Sequence, residues 1–368
     1  MKEYLKKYEI VLTARGPVFI GSGKDIMKKE YILIPGSDKI IVPDIGKMYS
    51  DLSIMGKDRK FEQFLLSKTN EGLGNWLRAE RITDSQILKW KKYELDMGDT
   101  IQEKGRPLQI LAFIKDPYGN PYIPGSSLKG MLRTILLYWE ISNNPQRFQG
   151  IKTDIRRELN GNDRIKRNTF LSKEEKKIEA EVFNILDRSN KKTDMVNDHL
   201  SGLIVSDSLP LSVEDLALCQ KVEYHVDAKM SSLNILRECL KPGTQIRFTL
   251  SIDTTKCKYS ANDIVKAVAL FAEDYYRLFI NKFRFAEKPG KDSVWLGGGT
   301  GFFTKTVMYS LFKENAVSAV QNMFEKTVNQ KSHGHRFDYK SGVSPHILKM
   351  TKYKGEFYHF GECGIQIN

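Results

Sequence analysis

Three short segments of this chain combine glycines, small hydroxyls and cations in patterns suited to a phosphate group. The first runs Arg15-Gly16-Pro17-Val18-Phe19-Ile20-Gly21-Ser22-Gly23-Lys24, with Lys28 and Lys29 close behind. The second runs from Tyr122 through Pro124, Gly125, Ser126, Ser127, Lys129 and Gly130 to Arg133. Here Pro124-Gly125 makes a tight turn, and Ser126 or Ser127 is expected to cap the helix that follows. The amides at that helix start then form an anion site, with Lys129 and Arg133 one turn apart on the same side. The third segment is Trp295–Thr306, in which the amides of Gly297, Gly298, Gly299 and Gly301 can line an anion-binding nest flanked by aromatics and Lys305. It is not a nucleotide loop: Thr304 stands where a glycine must precede the Lys-Thr pair, and Phe302 replaces the last glycine of a dinucleotide fingerprint. Each segment alone reads equally well as an ordinary turn. Three of them in one chain favour a polyphosphate backbone. The candidate contacts are therefore Arg15, Gly21, Ser22, Gly23, Lys24, Ser126, Ser127, Lys129, Arg133, Gly297, Gly298, Gly299, Gly301 and Lys305.

The elements that must hold these segments are strands and helices in mixed order. Tyr8–Thr13 reads as a strand from its alternation and β-branched residues, and Tyr31–Ile34 with Lys39–Val42 reads as a hairpin about Pro35–Asp38. Residues 45–97 read as helical, with Phe61, Phe64, Leu65, Trp76 and Leu77 at helical spacing. Leu108–Lys115 reads as a strand, then a helix opens near Gly125 and runs to about Ile141. Residues 143–198 are polar and charged, which predicts an inserted or mobile helical arm. Ser201–Ser206 reads as a central strand, Gly243–Ile252 as another, and Ala261–Phe279 as an amphipathic helix. Hairpins without strict strand–helix alternation predict an α+β fold of two antiparallel-sheet halves, divided at residues 1–205 and 206–368.

Composition narrows the function classes. Against 45 Asp+Glu stand 58 Lys+Arg in 368 residues, a net charge of +13. This excess favours a polyanion partner, nucleic acid being the commonest. A hydrophobic content of 40% with 19 Phe and 16 Tyr excludes a wholly disordered chain. No run approaches the ~20 apolar residues of a membrane span, and the N-terminal residues lack a signal-peptide core, so a soluble, cytoplasmic protein is expected. Cys219, Cys239, Cys257 and Cys363 form no CxxC pair, which excludes a zinc ribbon and predicts free thiols.

Catalytic groups are sparse. His333-Gly334-His335, with His346 and His359, lies in the basic tail, while His199 and His225 stand alone; no carboxylate or cysteine partner is evident at ligand spacing, so a surface histidine pair without metal or cofactor is expected. Asp44 and Asp207 read as lone carboxylates, whereas two-metal cleavage needs a cluster. The rival readings are a metal-independent endoribonuclease with a histidine base, and a protein scaffold whose basic surfaces meet acidic partners.

Pro121–Thr134 (PYIPGSSLKGMLRT), with GPVFIGSGK at Gly16–Lys24, SGLIVSD at Ser201–Asp207 and LGGGTGF at Leu296–Phe302, resembles the RAMP superfamily of CRISPR–Cas proteins. The length, the long helical stretch and the late glycine cluster look most like subunit five of the type III-A Csm effector complexes. The resemblance implies ferredoxin-like, RNA-recognition-motif-like domains with helical insertions. It implies a subunit that caps the backbone filament, binds the 3′ part of the CRISPR RNA and supports maturation of that RNA's 3′ end through host nucleases, in antiviral defence. The implied partners are CRISPR RNA, the other Csm subunits and above all the backbone RAMP subunit, with the target RNA duplex as a further contact. By the motif, Ser126, Ser127, Lys129 and Arg133 would lie on RNA phosphates, as would the backbone of Gly21–Gly23 and Gly297–Gly301. Related backbone subunits cut target RNA with an Asp after the first strand; Asp25 and Glu30 do not take the matching place, and Phe19 stands where many relatives carry His. Both departures imply a non-catalytic subunit.

Overall fold

Period-two alternation of Ile10, Leu12 and Ala14 puts all three on one buried face of the first strand. The computed structural model describes residues 4–33, 36–100, 109–161, 169–284, 286–329 and 334–368. Among them, the N-terminal strands are β1 (Leu5–Ala14), β2 (Gly21–Ile26), β3 (Ile32–Leu33) and β4 (Lys39–Pro43). Four short helices follow: α1 (Ile45–Ile54), α2 (Asp58–Leu66), α3 (Leu73–Ala79) and α4 (Asp84–Lys89). Then come β5 (Lys91–Asp96), β6 (Ile110–Phe113), α5 (Gly125–Asn143), α6 (Gln149–Asn160), α7 (Ser172–Phe183) and β7 (Leu203–Val205). A long hairpin, β8 (Leu216–His225) and β9 (Met230–Leu240), precedes β10 (Gln245–Asp253), α8 (Ala261–Leu278) and β11 (Ser293–Trp295). The chain ends with α9 (Met308–Phe312), α10 (Ala316–Thr327), α11 (Asp338–Ser341), β12 (Ile347–Tyr353), β13 (Glu356–His359) and β14 (Glu362–Ile367).

Two sheets result, in an α+β arrangement as expected. The five-stranded sheet has the order β11-β14-β1-β10-β7, and the nine-stranded sheet runs β2-β6-β9-β8-β5-β4-β3 with β12 and β13 branching from β8. In the smaller sheet β1 pairs antiparallel with β10 and with β14, so the first and last strands of the chain share one ladder. The predicted division at residue 205 therefore separates the chain in sequence but not in hydrogen bonding. Ile246, Phe248, Leu250 and Ile252 of β10 alternate into the core, where α5 and α8 cover the sheet. Ser260 and Asp263 form a capping box that starts α8. Tyr138 of α5 donates to Asp274 of α8 at 3.0 Å, and its ring meets Phe271 edge-on at 5.1 Å.

Several local expectations change. Residues 91–96 are a strand, because Leu95 turns into the core while its neighbours stay outside. Ser201–Ser206 supplies the edge strand β7, not a central one. In the 143–198 stretch, Ile151, Ile155, Leu159, Ile178, Val182 and Phe183 are buried in the main core, so α6 and α7 pack down in place of forming a free arm. The helices between residues 45 and 90 instead close over a core of their own built on Phe61, Leu73, Trp76, Leu77 and Trp90. Leu108, Ile34 and Pro35, parts of a predicted strand and hairpin, lie outside the described residues.

Candidate nucleic-acid interface

The glycine segments meet where the chain crosses from one sheet to the other. After β1, residues 15–20 run past the end of β9, with Val18 and Leu240 exchanging backbone bonds of 3.2 and 2.8 Å. Phe19 then bridges to Gly297, and the Gly298 amide donates to the Phe19 carbonyl at 2.8 Å. Gly297 has φ +88°, and a Cβ there would stand 2.2 Å from the Phe19 oxygen, so only glycine fits. On the other side, the Ile114 amide donates to Ile20 at 2.9 Å, and the Tyr122 amide to Ile114 at 3.4 Å. One run of backbone bonds thus links the glycine cluster, the first segment and the approach to α5.

Within that run the expected local structures differ. Gly21–Lys24 is not a loop but part of the bulged edge strand β2, where the register with β6 slips between Gly21 and Asp25. The Ser22 hydroxyl donates to the Ala112 carbonyl at 3.1 Å and accepts from the Lys24 amide at 3.1 Å, leaving Gly23 and Lys24 exposed. Helix α5 begins at Gly125, so Ser126 and Ser127 sit in its first turn and do not cap it. The cap is Asp207, whose carboxylate accepts from the Gly125 amide at 2.8 Å. A Cβ on Gly125 would lie 2.4 Å from the carbonyl oxygens of Val205 and Ser206, which is why the PGSS turn requires glycine against the SGLIVSD strand.

The cations of α5 face inward. Lys129 donates to the Leu200 carbonyl at 2.7 Å, and burial lowers its ammonium pKa. Arg133 pairs with Asp198 at 2.6 Å and Glu179 at 2.9 Å, its guanidinium 4.1 Å from the Phe183 ring centroid. Both hold the polar 179–200 stretch against α5 and do not form the open anion site that spacing alone suggested. Arg15 is likewise engaged, donating to Asp292 at 2.7 Å and Ser293 at 2.7 Å. Lys305 is the exposed last residue of a short 3-10 turn, next to the buried Thr304.

What the sequence did not reveal is a cationic cluster beside the glycine segment. Arg237 of β9 lies between two rings, 5.5 Å from the Phe19 centroid and 5.6 Å from that of Phe360. Its Nε and Nη1 are buried and have no hydrogen-bond partner. A buried N–H left unpaired costs about 1–3 kcal/mol, so this guanidinium is set to accept an anionic ligand. Lys221 of β8 sits on the adjacent strand, and burial first, then Lys349 and Arg237, push its pKa down to about 8. Lys349 of β12 pairs with Glu223 and lies 3.5 Å from where a Cβ on Gly301 would be. The signal in the sequence is the pair of cations Lys221 and Arg237 inside the strand-forming stretches 216–225 and 230–240.

The acidic group at this cluster is Glu223, held by Lys349. Asp25 accepts from Gln109, and Glu30 accepts from the Met27 amide at 2.7 Å. His199 is buried and His359 half-buried, and desolvation lowers each pKa to about 4. The expected surface histidine pair needs correction. His333 lies outside the described residues, and His335 is buried against Asp338, a carboxylate partner three residues on.

Comparison with known proteins agrees with this architecture. The family model of the RAMP superfamily matches residues 11–329. A Mycobacterium tuberculosis protein named CRISPR system Cms protein Csm5 is 30% identical over 100% of this chain and 99% of its own length. A Streptococcus thermophilus protein of the same name is 28% identical over 96% of this chain and 90% of its own. A chain in the cryo-EM structure of a type III-A Csm–crRNA–target RNA ternary complex superposes with TM-score 0.71 at 22% identity, covering 98% of this chain and 100% of that one. The crystal structure of T. onnurineus Csm5 gives TM-score 0.60 at 19% identity, covering 96% and 99%. The chain therefore belongs to the RAMP superfamily and, within it, to the Csm5 family.

Proposed function

We propose that this protein is a non-catalytic RNA-binding subunit of a type III-A Csm effector complex acting in cytoplasmic antiviral defence. It holds the 3′ part of the CRISPR RNA, caps the filament of backbone RAMP subunits and supports 3′-end maturation by recruited host nucleases. The observation that carries this reading is the unpartnered Arg237 guanidinium between Phe19 and Phe360, beside the Gly297–Gly301 amides and Lys221. A phosphodiester there would supply the missing acceptor and neutralise the clustered charge. Support also comes from the relative solved within a Csm–crRNA–target RNA complex. Exposed Gly23 and Lys24 on the edge strand extend the same surface. Ser126 and Ser127 remain candidate contacts at its far end, whereas Lys129 and Arg133 act by holding the helix in place. A non-catalytic role is supported by Asp25 being tied to Gln109 and by the full burial of His199, which takes its imidazole out of reach of a substrate.

Ultraviolet crosslinking of the assembled complex tests the assignment. Crosslinked peptides should come from residues 15–24 and 297–305 and from the β8–β9 hairpin around Lys221 and Arg237. RNA crosslinks confined to other surfaces would reject it. Specific cutting of precursor RNA by the isolated chain in EDTA would instead favour an endoribonuclease.

A further inference from the structure

Two imidazoles and one carboxylate converge between α11 and the start of β12. Asp338 opens α11 and is only 2% exposed; its Oδ2 lies 3.0 Å from Nδ1 of His335, and its Oδ1 lies 2.6 Å from Nδ1 of His346. One potential ligand atom from each residue lies within 4.8 Å of the other two. Their positions are fixed from several directions. The Asp338 amide donates to the His335 carbonyl at 3.1 Å, and the Val226 amide donates to the His346 carbonyl at 3.1 Å, anchoring that residue to the β8–β9 turn. The His335 ring stacks on Phe324 at 4.5 Å, and the His225 ring lies 5.7 Å from that of His346.

We infer that His335, Asp338 and His346 form a binding site for a divalent first-row transition ion, zinc above all. The donor set decides the metal class. Magnesium and calcium take oxygen ligands, whereas two imidazole nitrogens with one carboxylate suit zinc and its neighbours. Three protein ligands leave a coordination position open, for water or a fourth side chain. On binding, the ion takes the place of the hydrogens shared between each Nδ1 and the carboxylate. The ion's charge also neutralises a carboxylate that is otherwise buried. The site joins α11 to the start of β12, so occupancy would brace the segment between α10 and the last sheet strands.

The test uses the full chain purified without a polyhistidine tag. Equilibrium dialysis against micromolar zinc with elemental analysis should find about one ion per chain. Cobalt in place of zinc should give the visible bands of a four-coordinate nitrogen–oxygen site. Added zinc should raise the melting temperature of the wild-type chain. His346→Gln and Asp338→Asn should abolish uptake and the cobalt bands. No uptake by the wild-type chain overturns the site and leaves a hydrogen-bonded cluster. Uptake and cobalt bands unchanged in folded variants overturn it equally. Should a variant fail to fold, the wild-type cobalt spectrum and thermal shift decide alone.

Discussion

Arg237 links residue chemistry to function most directly. Its Nε and Nη1 are buried without partners, and desolvation lowers its pKa, so the free protein bears a cost that a bound phosphate would remove. Arg237→Met keeps the packing between Phe19 and Phe360 while deleting the charge. Filter binding should show RNA affinity reduced roughly tenfold or more, with a melting temperature equal to or above that of wild type. A purely structural Arg237 would give the opposite pair of results. Lys221 adds a pH signature. Its pKa is lowered to about 8 by burial and by Lys349 and Arg237, so it is charged below that pH and neutral above it. RNA affinity should fall between about pH 7 and about pH 9, and Lys221→Arg, charged throughout, should flatten the profile. Stability moves the other way. Between about 8 and the ordinary value of 10.5, the folded chain binds fewer protons than the unfolded one, so this group's contribution to stability rises with pH.

Elements matter here through what they bring within bonding distance. The glycine cluster is less a flexible loop than a fitted strip: Gly297 bridges Phe19, and Gly298 bonds its carbonyl. Gly297→Ala places a Cβ against that oxygen at a φ of +88° and should lower stability by about 2–4 kcal/mol in urea denaturation, with RNA binding lost in parallel. Much at this scale was legible from residue pattern. The strands at Tyr8–Thr13 and Gly243–Ile252 and the amphipathic helix at Ala261–Phe279 match β1, β10 and α8, because local propensity and burial agree there. Two features did not read. Lys129 and Arg133 have the spacing of an anion site, but their partners Leu200, Asp198 and Glu179 come from tens of residues away. In the β8–β9 hairpin β8 is buried along nearly its whole length although Gln220, Lys221, Glu223 and His225 interrupt its apolar residues, and β9 is polar and exposed at its start, so neither strand shows clean alternation.

At the level of the whole molecule, the net charge of +13 and the arrangement of backbone amides predict a particular mode of binding. Affinity for single-stranded RNA should fall steeply as salt rises, since each phosphate contact releases condensed counterions at a slope of roughly −0.7 per contact. Sequence preference should be weak, because amides and cations read phosphates and not base edges. Binding isotherms over a salt series with two unrelated RNA sequences check both points. A flat salt dependence would favour the scaffold reading. Family and fold class were determined by sequence alone, since the short motifs at Gly16–Lys24, Pro121–Thr134, Ser201–Asp207 and Leu296–Phe302 demand particular backbone shapes that few other residues permit. Only the tertiary structure decided which charges remain open. Pairing depends on what long-range packing brings alongside each cation, which turned Arg133 inward, left Arg237 unmatched and gathered His335, Asp338 and His346 around one point.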